Sequence, residues 1–330
     1  MEDQLHLDPR LQRRIIEKRA ALDRQRPLPA RVVDKLYEDL RVRLTYHSNA
    51  IEGNTLDLSE TQLVLEHGVT IGGHTVKEHL EAINHGAAFS WLVKLARGAT
   101  PLTEADVLHL HALITKDLVE PSGAYRAGAV HISGSNVRPP PAQQVPGLMR
   151  DWLAWLEGDG RDYEAVVRAA LAHEMFLAIH PFADGNGRTA RLLLNLQLMR
   201  DGYPTAVILQ GWRPAYIRAL EAAHHGTYPP LLNLIGRAVE HGLDMFAEAV
   251  AAVPEEERRP LREVAGEVGM EADYLGWLLR AGRVAGTKQG GRWYTSAAAV
   301  RRYQDEVARR EVPIGRPRRS SRTTGEELQT

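Results

Sequence analysis

The residues His180-Pro181-Phe182-Ala183-Asp184-Gly185-Asn186-Gly187-Arg188-Thr189-Ala190-Arg191 pack unusual chemistry into one short segment. His180 offers a general base whose ordinary pKa lies near neutrality. Pro181 disfavours helical geometry in the residue before it, so a helix ends at His180, and the spacing predicts a new helix from about Thr189. Between them Gly185, Asn186 and Gly187 tolerate left-handed backbone angles, which lets successive N–H groups point into one concavity. At a helix N-terminus such a nest is an anion site. Arg188 and Arg191 are three apart and share a face beside it. Two guanidiniums over a backbone nest suit a polyphosphate better than a single carboxylate. Asp184 adds a carboxylate able to hold Mg²⁺, which binds through one or two carboxylates plus phosphates and keeps its waters. Base, metal carboxylate, phosphate nest and arginines together spell phosphoryl or nucleotidyl transfer. The plain alternative is a capped interhelical loop with a surface histidine.

Two other motifs in the region fail on context. Residues 185–190 satisfy the dinucleotide pattern G-x-G-x-x-[GA], but that pattern follows a strand, and 169–179 reads as helix. His173-Glu174 resembles the start of a zinc-protease helix, yet Leu177 stands where the second histidine belongs. His173 is expected to pack in the helical core or buttress the site. A Walker lysine motif is absent from the sequence.

The elements that must carry these residues read as helices through the first half. Asp8-Pro9 opens one with Leu11, Ile15 and Leu22 on a face. After the break Arg26-Pro27-Leu28-Pro29, a second carries Val33, Leu36, Tyr37, Leu40, Leu44, Ser48 and Ile51 at helical spacing and ends at Gly53-Asn54. Ser59 with Gln62 has capping-box spacing for a short helix that Gly68 closes. Val76, Leu80, Ile83 and Ala87 mark the next, and 103–118 another. From Gly123 to Pro146 the chain turns Gly-, Pro- and Ser-rich. There Val130, His131 and Ile132, then Gly134-Ser135-Asn136 and Val137-Arg138, read as a β-hairpin. Helices are expected again over 148–156, 163–179, 189–199, 214–223 and 230–249. A charged linker with Glu255-Glu256-Glu257 leads to helix 261–268, a turn at Gly269, helix 272–280, two strands around Gly290-Gly291, and helix 297–310. The tail after Pro313 has a disordered composition.

Composition narrows the classes. The 330 residues carry 41 Lys+Arg against 42 Asp+Glu, a net charge of −1, which excludes a generally basic nucleic-acid coat but not a local basic patch. A hydrophobic fraction of 44% and a charged fraction of 25% allow a real core in about two domains. Zero cysteines exclude a disulfide scaffold, a thiol nucleophile and a Cys-ligated zinc or iron–sulfur site. There is no apolar run of ~18 to 20 residues, and MEDQLHLDPR lacks a secretory apolar region, so a soluble cytoplasmic protein with no membrane partner is expected.

With these residues in view, the chain resembles the Fic (filamentation induced by cAMP) domain proteins. Their signature H-P-F-x-D-G-N-G-R-x-x-R is matched at every specified position of 180–191. Gly123-Ala124-Tyr125-Arg126 and the Val130/Ile132 hairpin are similar to the family's flap, and Tyr216 with 225–232 to the helical region after the signature; the likeness covers roughly 28–242. The resemblance implies AMP transfer from ATP, with Mg²⁺ or Mn²⁺, onto a Ser, Thr or Tyr hydroxyl of a target protein. It makes His180 the base, Asp184 the metal ligand, Gly185, Asn186 and Gly187 the phosphate nest, Arg188 and Arg191 the phosphate clamp, and Phe182 a buried anchor. The phosphotransferase Doc branch carries lysine at the position of Gly187, so glycine there favours adenylylation.

Ser48-Asn49-Ala50-Ile51-Glu52-Gly53 resembles the inhibitory motif [ST]-x-x-x-E-[GN] of autoinhibited members. Ser48 and Glu52 are four apart and share a face that continues the apolar stripe, so Glu52 points inward, where a carboxylate needs a partner. The resemblance makes Arg191 that partner and Glu52 a brake on ATP binding. Val130, His131 and Ile132 are expected to dock an extended target segment by strand addition. Residues 261–294 resemble a winged-helix or excisionase-like DNA-binding module, with Arg280, Arg283, Lys288, Arg292, Arg301 and Arg302 as candidate DNA-phosphate contacts, weakened by Glu263, Glu267, Glu271 and Asp273; the alternative is a protein-interaction or packing domain. The expected fold is mostly α: a helical Fic-type bundle with a small β-hairpin flap and a C-terminal winged helix-turn-helix. The expected division is an N-terminal helical region with inhibitory helix (1–96), a catalytic core (97–250), the winged-helix-like module (255–312) and a disordered tail (313–330). Self-modification and a homodimer are further candidate associations. Two other functions use the same residues: an AMP-removing hydrolase, and a nucleotide-sensing DNA-binding regulator.

Overall fold

Side chains that take up the free N–H groups of a first helical turn set the starts of the early helices. Asp57, Thr75 and Thr103 each form a capping box with Glu60, Glu78 and Asp106, opening α3 (Leu58–His67), α4 (Val76–Ala96) and α5 (Glu104–Thr115). The cap of α3 is therefore Asp57, not Ser59: Asp57 Oδ1 accepts from the Glu60 N–H at 2.8 Å, and Ser59 already lies in the first turn of the helix. Before them run α1 (Pro9–Asp23) and α2 (Ala30–Ile51), and α1 buries Leu11, Ile15 and Leu22 as its spacing predicts. After them come α6 (Val145–Glu157), α7 (Ala165–Ile179), α8 (Asn186–Arg200), α9 (Arg213–His224) and α10 (Pro229–Ala251). The computed structural model describes residues 5–26, 28, 30–98, 100–132, 137–251 and 258–308. The linker residues Glu255-Glu256-Glu257, the turn Gly134-Ser135-Asn136 and the expected disordered tail lie outside them.

The described residues divide into two compact units, one within 1–22 and 35–248, the other within 23–34 and 249–330. In the larger unit α8 is the central rod, buried along nearly its whole length and packed by α4, α5 and α7. Around it sit the fully buried side chains of Trp152, Phe176, Phe182, Tyr216 and Phe89. The Trp152 indole N–H donates to the Ala172 carbonyl at 2.9 Å, which satisfies its polar atom inside the core.

Two sequence expectations change here. In the first half of α4 the buried face is largely polar: His79, Glu81, Asn84 and His85 point inward, while Val76 and Ile83 are exposed; Phe89 and Leu92 are buried further on. The reason is the partner. α4 packs on α8, whose inward surface includes Arg188, so the inward positions answer charge rather than apolar surface. The flanks of the expected β-hairpin, 130–132 and 137–138, are not strand; the sheet among the described residues lies in the smaller unit.

That unit contains α11 (Leu261–Glu267), α12 (Ala272–Arg280) and α13 (Ala297–Ala308) with β1 (Arg259–Pro260), β2 (Gly286–Gln289) and β3 (Arg292–Thr295). The sheet is antiparallel in the order β1-β3-β2, with Lys288 opposite Trp293 and Arg259 opposite Thr295. Val264, Leu275, Leu278, Val284 and Val300 form its core. Among the described residues no helix is long and apolar enough to cross a membrane.

Candidate active site

The site begins where α7 stops. His180 caps it with φ 50° and ψ 60°, a left-handed conformation in a residue with a Cβ, which costs about 1–2 kcal/mol. Arg126 holds that turn: its Nε donates to the His180 carbonyl at 2.8 Å, and its backbone N–H to the Pro181 carbonyl at 3.0 Å. The same guanidinium reaches the carbonyls of Gly128 at 3.0 Å and Pro140 at 2.6 Å, so one buried arginine ties the catalytic turn to both sides of the 128–140 loop. The His180 Nδ1 lies 3.3 Å from the Leu177 carbonyl, an acceptor, so Nδ1 carries the proton and Nε2 keeps its lone pair. Burial pushes the His180 imidazole below its ordinary value; the Leu177 bond opposes this and Arg126 adds to it.

The turn from 181 to 185 is braced from within. Phe182 is fully buried, with His111 stacked on its ring at 3.6 Å. His111 Nδ1 accepts from the Gly123 N–H at 3.1 Å, so its Nε2–H donates to the Asp184 carbonyl at 3.0 Å. Asn186 spends both ends of its amide on Phe182, accepting from its N–H and donating to its carbonyl, each at 2.9 Å. The Asn186 side chain is thus a loop brace, and what it offers the cleft is backbone.

Of the three expected left-handed positions, Gly185 has φ 77°, whereas Asn186 and Gly187 are already the first residues of α8. The helix starts at Asn186 rather than near Thr189, so the anion site is its own first turn. The Gly185 N–H is taken by Asp184 Oδ1 at 2.6 Å. A Cβ on Gly185 would sit 2.9 Å from Thr115, and one on Gly187 would collide with Glu52 Oε1 and come within 3.0 Å of Arg191 Nη1.

Glu52 therefore lies against the N-terminal turn of α8. It stands one residue past α2, where Gly53 turns the chain with φ 102°. Buried Arg191 donates from Nη2 to Glu52 Oε1 at 2.7 Å and to the Ser48 carbonyl at 2.9 Å, and from Nε to Ser48 Oγ at 3.0 Å. Burial works against the Arg191 charge, but Glu52 and Tyr216 outweigh it and its pKa is raised. Tyr216 OH also lies 2.7 Å from His173 Nε2, which makes His173 the buttress behind Arg191. Arg213 Nε donates to the Ile51 carbonyl at 2.6 Å, and Asn54 Nδ2 to Glu81 Oε2 at 2.9 Å, fixing the segment on both sides of Glu52.

Arg188 is buried beside the cleft, 3.3 Å from Glu81 and 3.6 Å from Asp184 Oδ1, but its Nε and Nη1 find no hydrogen-bond partner among the described residues. A buried guanidinium with unspent donors fits a polyanion. Asp184 is half-exposed. One carboxylate beside a phosphate site is the donor set Mg²⁺ takes, since it keeps waters and completes its shell with phosphate oxygens; no cluster of three or more acidic or histidine ligands exists among the described residues.

All of this opens into one cleft of about 400 Å³, a size suited to a small cofactor or nucleotide. His180, Asp184, Gly185, Asn186, Gly187, Arg188, Arg191 and Glu52 line it together. His131 and Ile132 also line it, while Val130 does not, and Ser48 acts from behind through Arg191. Arg126 was read from the sequence only as part of the flap segment, and His111 and Glu81 were not singled out. Arg126 sits in a Gly- and Pro-rich loop with no periodicity, where an arginine reads as surface; the unpaired carbonyls such a loop must satisfy were the available signal.

Comparison with known proteins agrees with this geometry. Residues 101–198 match the Fic/DOC family. The protein adenylyltransferase Fic of Culex quinquefasciatus is 34% identical over 250 residues, which are 74% of this chain and 49% of that protein. The chain spans about half the length of the curated relatives it matches. A Fic domain-containing signaling protein from Bacteroides thetaiotaomicron superposes with a TM-score of 0.67 at 26% identity, covering 72% of this chain and 97% of that one. Fic-1 from C. elegans superposes with a TM-score of 0.67 at 28% identity, covering 74% and 73%.

Proposed function

We infer the function from one premise: residues 101–198 of this chain are a Fic domain. The chain is a protein adenylyltransferase that moves AMP from ATP to a hydroxyl side chain of a target protein and is held inactive by Glu52. The observation that carries this reading is the pairing of an unprotonated His180 Nε2 with the α8 N-terminal turn and Arg191, the last two covered by Glu52. In the reaction His180 Nε2 takes the proton of the target hydroxyl. That oxygen bonds to the α-phosphorus as the bond to the bridging oxygen breaks, and pyrophosphate leaves. The first turn of α8 and the unspent donors of Arg188 hold the phosphates, and Arg191 joins them when Glu52 withdraws. Asp184 would hold Mg²⁺, which neutralises phosphate charge when bound. Arg126 and Asn186 keep the turn in place throughout. His131, Ile132 and the neighbouring Val130 guide the target segment beside the cleft.

The experiment is intact mass after incubation with ATP and Mg²⁺ for wild type, Glu52→Gly and Glu52→Gly/His180→Ala, alone and with a cell extract as source of targets. We expect AMP adducts with Glu52→Gly, on itself or on extract proteins, and none with the double variant. Adducts that disappear from pre-modified protein in the presence of wild type would assign the site to AMP removal instead, with the half-exposed Glu52 carboxylate orienting water.

The same reading divides the chain into an inhibitory N-terminal region (1–96), the catalytic core (97–250), a winged-helix module (255–312) and a tail (313–330), in a cytoplasmic protein able to pair as a homodimer. In the module Arg280, Lys288 and Arg292 are exposed, while Arg301 is spent on Glu267 at 3.3 Å. Exposed Glu271, which precedes α12, and Asp273 in its first turn repel phosphate, so DNA contact falls to Lys288 and Arg292 of the β2–β3 wing. Duplex binding that weakens with salt and with Lys288→Ala/Arg292→Ala is expected; no binding at low salt would leave the module a protein-contact domain.

A further inference from the structure

Between α3 and α4, His74 sits in a polar corner that the chemistry above does not use. Its Nε2 lies 3.2 Å from Glu60 Oε2 on α3, and its Nδ1 2.9 Å from Thr55 Oγ1. Thr55 has already spent its hydroxyl proton, donating to Glu78 Oε1 at 2.5 Å, so toward His74 it can only accept. The Glu60 carboxylate, whose Oε2 also takes the Asp57 N–H at 2.8 Å, only accepts as well. Both ring nitrogens of His74 therefore face acceptors, which a neutral imidazole can answer on one side only and an imidazolium on both. Glu78 Oε1, 3.9 Å from Nδ1, adds a second negative charge, and hydrogen bonds from Thr55 and Thr75 hold that carboxyl at about 2, so it is ionised. The other charged or titratable groups at the corner are spent elsewhere. Asp57 caps α3, and Lys77 lines the cleft with Glu81 3.8 Å away. The ring of His79, 6.4 Å from that of His74, accepts at Nε2 from the Ile71 N–H at 2.9 Å and meets the Thr75 carbonyl at Nδ1 at 2.7 Å, so it is neutral by the same accounting.

We propose that His74 is a proton-operated latch on the segment that carries Glu52: protonated, it ties Thr55 to Glu60 and holds Glu52 on Arg191, and on losing its proton it drops one of the two contacts and lets Glu52 leave. The proposal rests on the reading of Glu52 as a brake on ATP binding and adds the condition under which that brake loosens. The link is short. Thr55 stands three residues past Glu52, and its N–H also donates to Glu78 Oε1 at 2.8 Å. Asn54 Nδ2 donates to the Glu78 carbonyl at 3.0 Å and to Glu81 Oε2 at 2.9 Å. These contacts pin 54–55 to α4, and His74 carries the tie across to α3. On its other side Glu52 follows Ile51, whose carbonyl is held by Arg213. The carboxylate thus lies between two anchored points, and slack at 54–55 lets it swing off Arg191. Histidine is the side chain that ordinarily changes charge between about pH 5 and 8, so a latch built on it answers to acidity near neutrality.

The test measures ATP affinity calorimetrically, with Mg²⁺, for wild type and Glu52→Gly at pH 6, 7 and 8.5. The ratio of the two dissociation constants reports the brake, because the titration of ATP itself cancels. That ratio should fall about threefold from pH 6 to pH 8.5, the size expected of a partly exposed ion pair. His74→Lys, charged throughout, should keep the ratio at its pH 6 value, and His74→Gln, neutral throughout, at its pH 8.5 value. A brake in His74→Lys that is stronger at pH 8.5 than in wild type is a gain that damage to the fold cannot produce. With Glu52→Gly in place, neither His74 substitution should alter ATP affinity. A wild-type ratio that does not move with pH overturns the proposal, as does a pH dependence that survives in both His74 variants. If Glu52→Gly binds ATP no tighter than wild type at any pH, the brake reading itself fails and the latch with it.

Discussion

In the proposed reaction His180 acts through the nitrogen that is not hydrogen-bonded to Leu177, and its protonation state decides whether that nitrogen can accept a proton. Burial and the charge of Arg126 lower its pKa, while Glu52 and Asp184 raise it. The net shift is downward from 6.5, so Nε2 is free across the neutral range. In the Glu52→Gly protein one of the two opposing carboxylates is gone, which moves the value further down. The acid limb of kcat/KM for AMP transfer should therefore have an apparent pKa below about 6.5 and a plateau from there through pH 8. An acid limb centred at or above the ordinary histidine value would mean that another group sets it. Gly187 and Glu52 form a matched pair at this scale: a side chain at 187 would strike the carboxylate where it now lies and would have to displace it.

At the scale of elements, local signals in the sequence were strong where they were periodic or punctuated. α1 buries its expected stripe, α12 spans Ala272–Arg280 as expected, and Gly68 ends α3 with φ 64°. The cluster at 180–191 was legible because a proline, two glycines and charged residues at fixed spacing constrain both backbone and chemistry. What stayed hidden depended on long-range partners. The polar inward face of α4 exists because Glu81 meets Arg188, 107 positions away, and His85 meets Thr45 Oγ1 at 3.0 Å, 40 positions away. The early start of α8 is set by Asn186 folding back on Phe182, where residue type alone suggested loop. β1 is two residues long and owes its strand character to pairing with β3. The Glu52 segment shows both cases: the Ser48–Glu52 spacing was visible, but the hold of Arg213 and Asn54 on its flanks was not.

For the molecule as a whole, the interior behind the cleft is built on neutral histidines. Burial holds His85 at about 3 and both His111 and His173 at about 4, all well below the ordinary 6.5. His111 is a hydrogen-bond hub between Gly123 and Asp184, whereas His85 and His173 each spend one ring nitrogen, on Thr45 and Tyr216, and bury the other without a partner among the described residues. The unfolded chain takes up protons at these sites below about pH 6.5, whereas the folded one resists until its own values are reached. Stability from these groups is therefore intact above pH 6.5 and lost as pH falls toward 4. While one site is protonated only in the unfolded state, the loss is about 1.4 kcal/mol per pH unit. Three sites together make that about 4 kcal/mol per pH unit, against a total stability of ~5–15 kcal/mol for a typical domain. Urea midpoints should hold steady from pH 8 to 7, fall steeply between 6 and 4.5, and carry the loss of nucleotide binding with them. This window lies above that of the hydrogen-bonded carboxylates Glu78 and Glu240, held at about 2, whose contribution fades only below about pH 4.5. A urea midpoint that stays level down to pH 5 would show that these histidines accept protons without leaving the core, and that the hubs behind Arg191 and Asp184 tolerate charge.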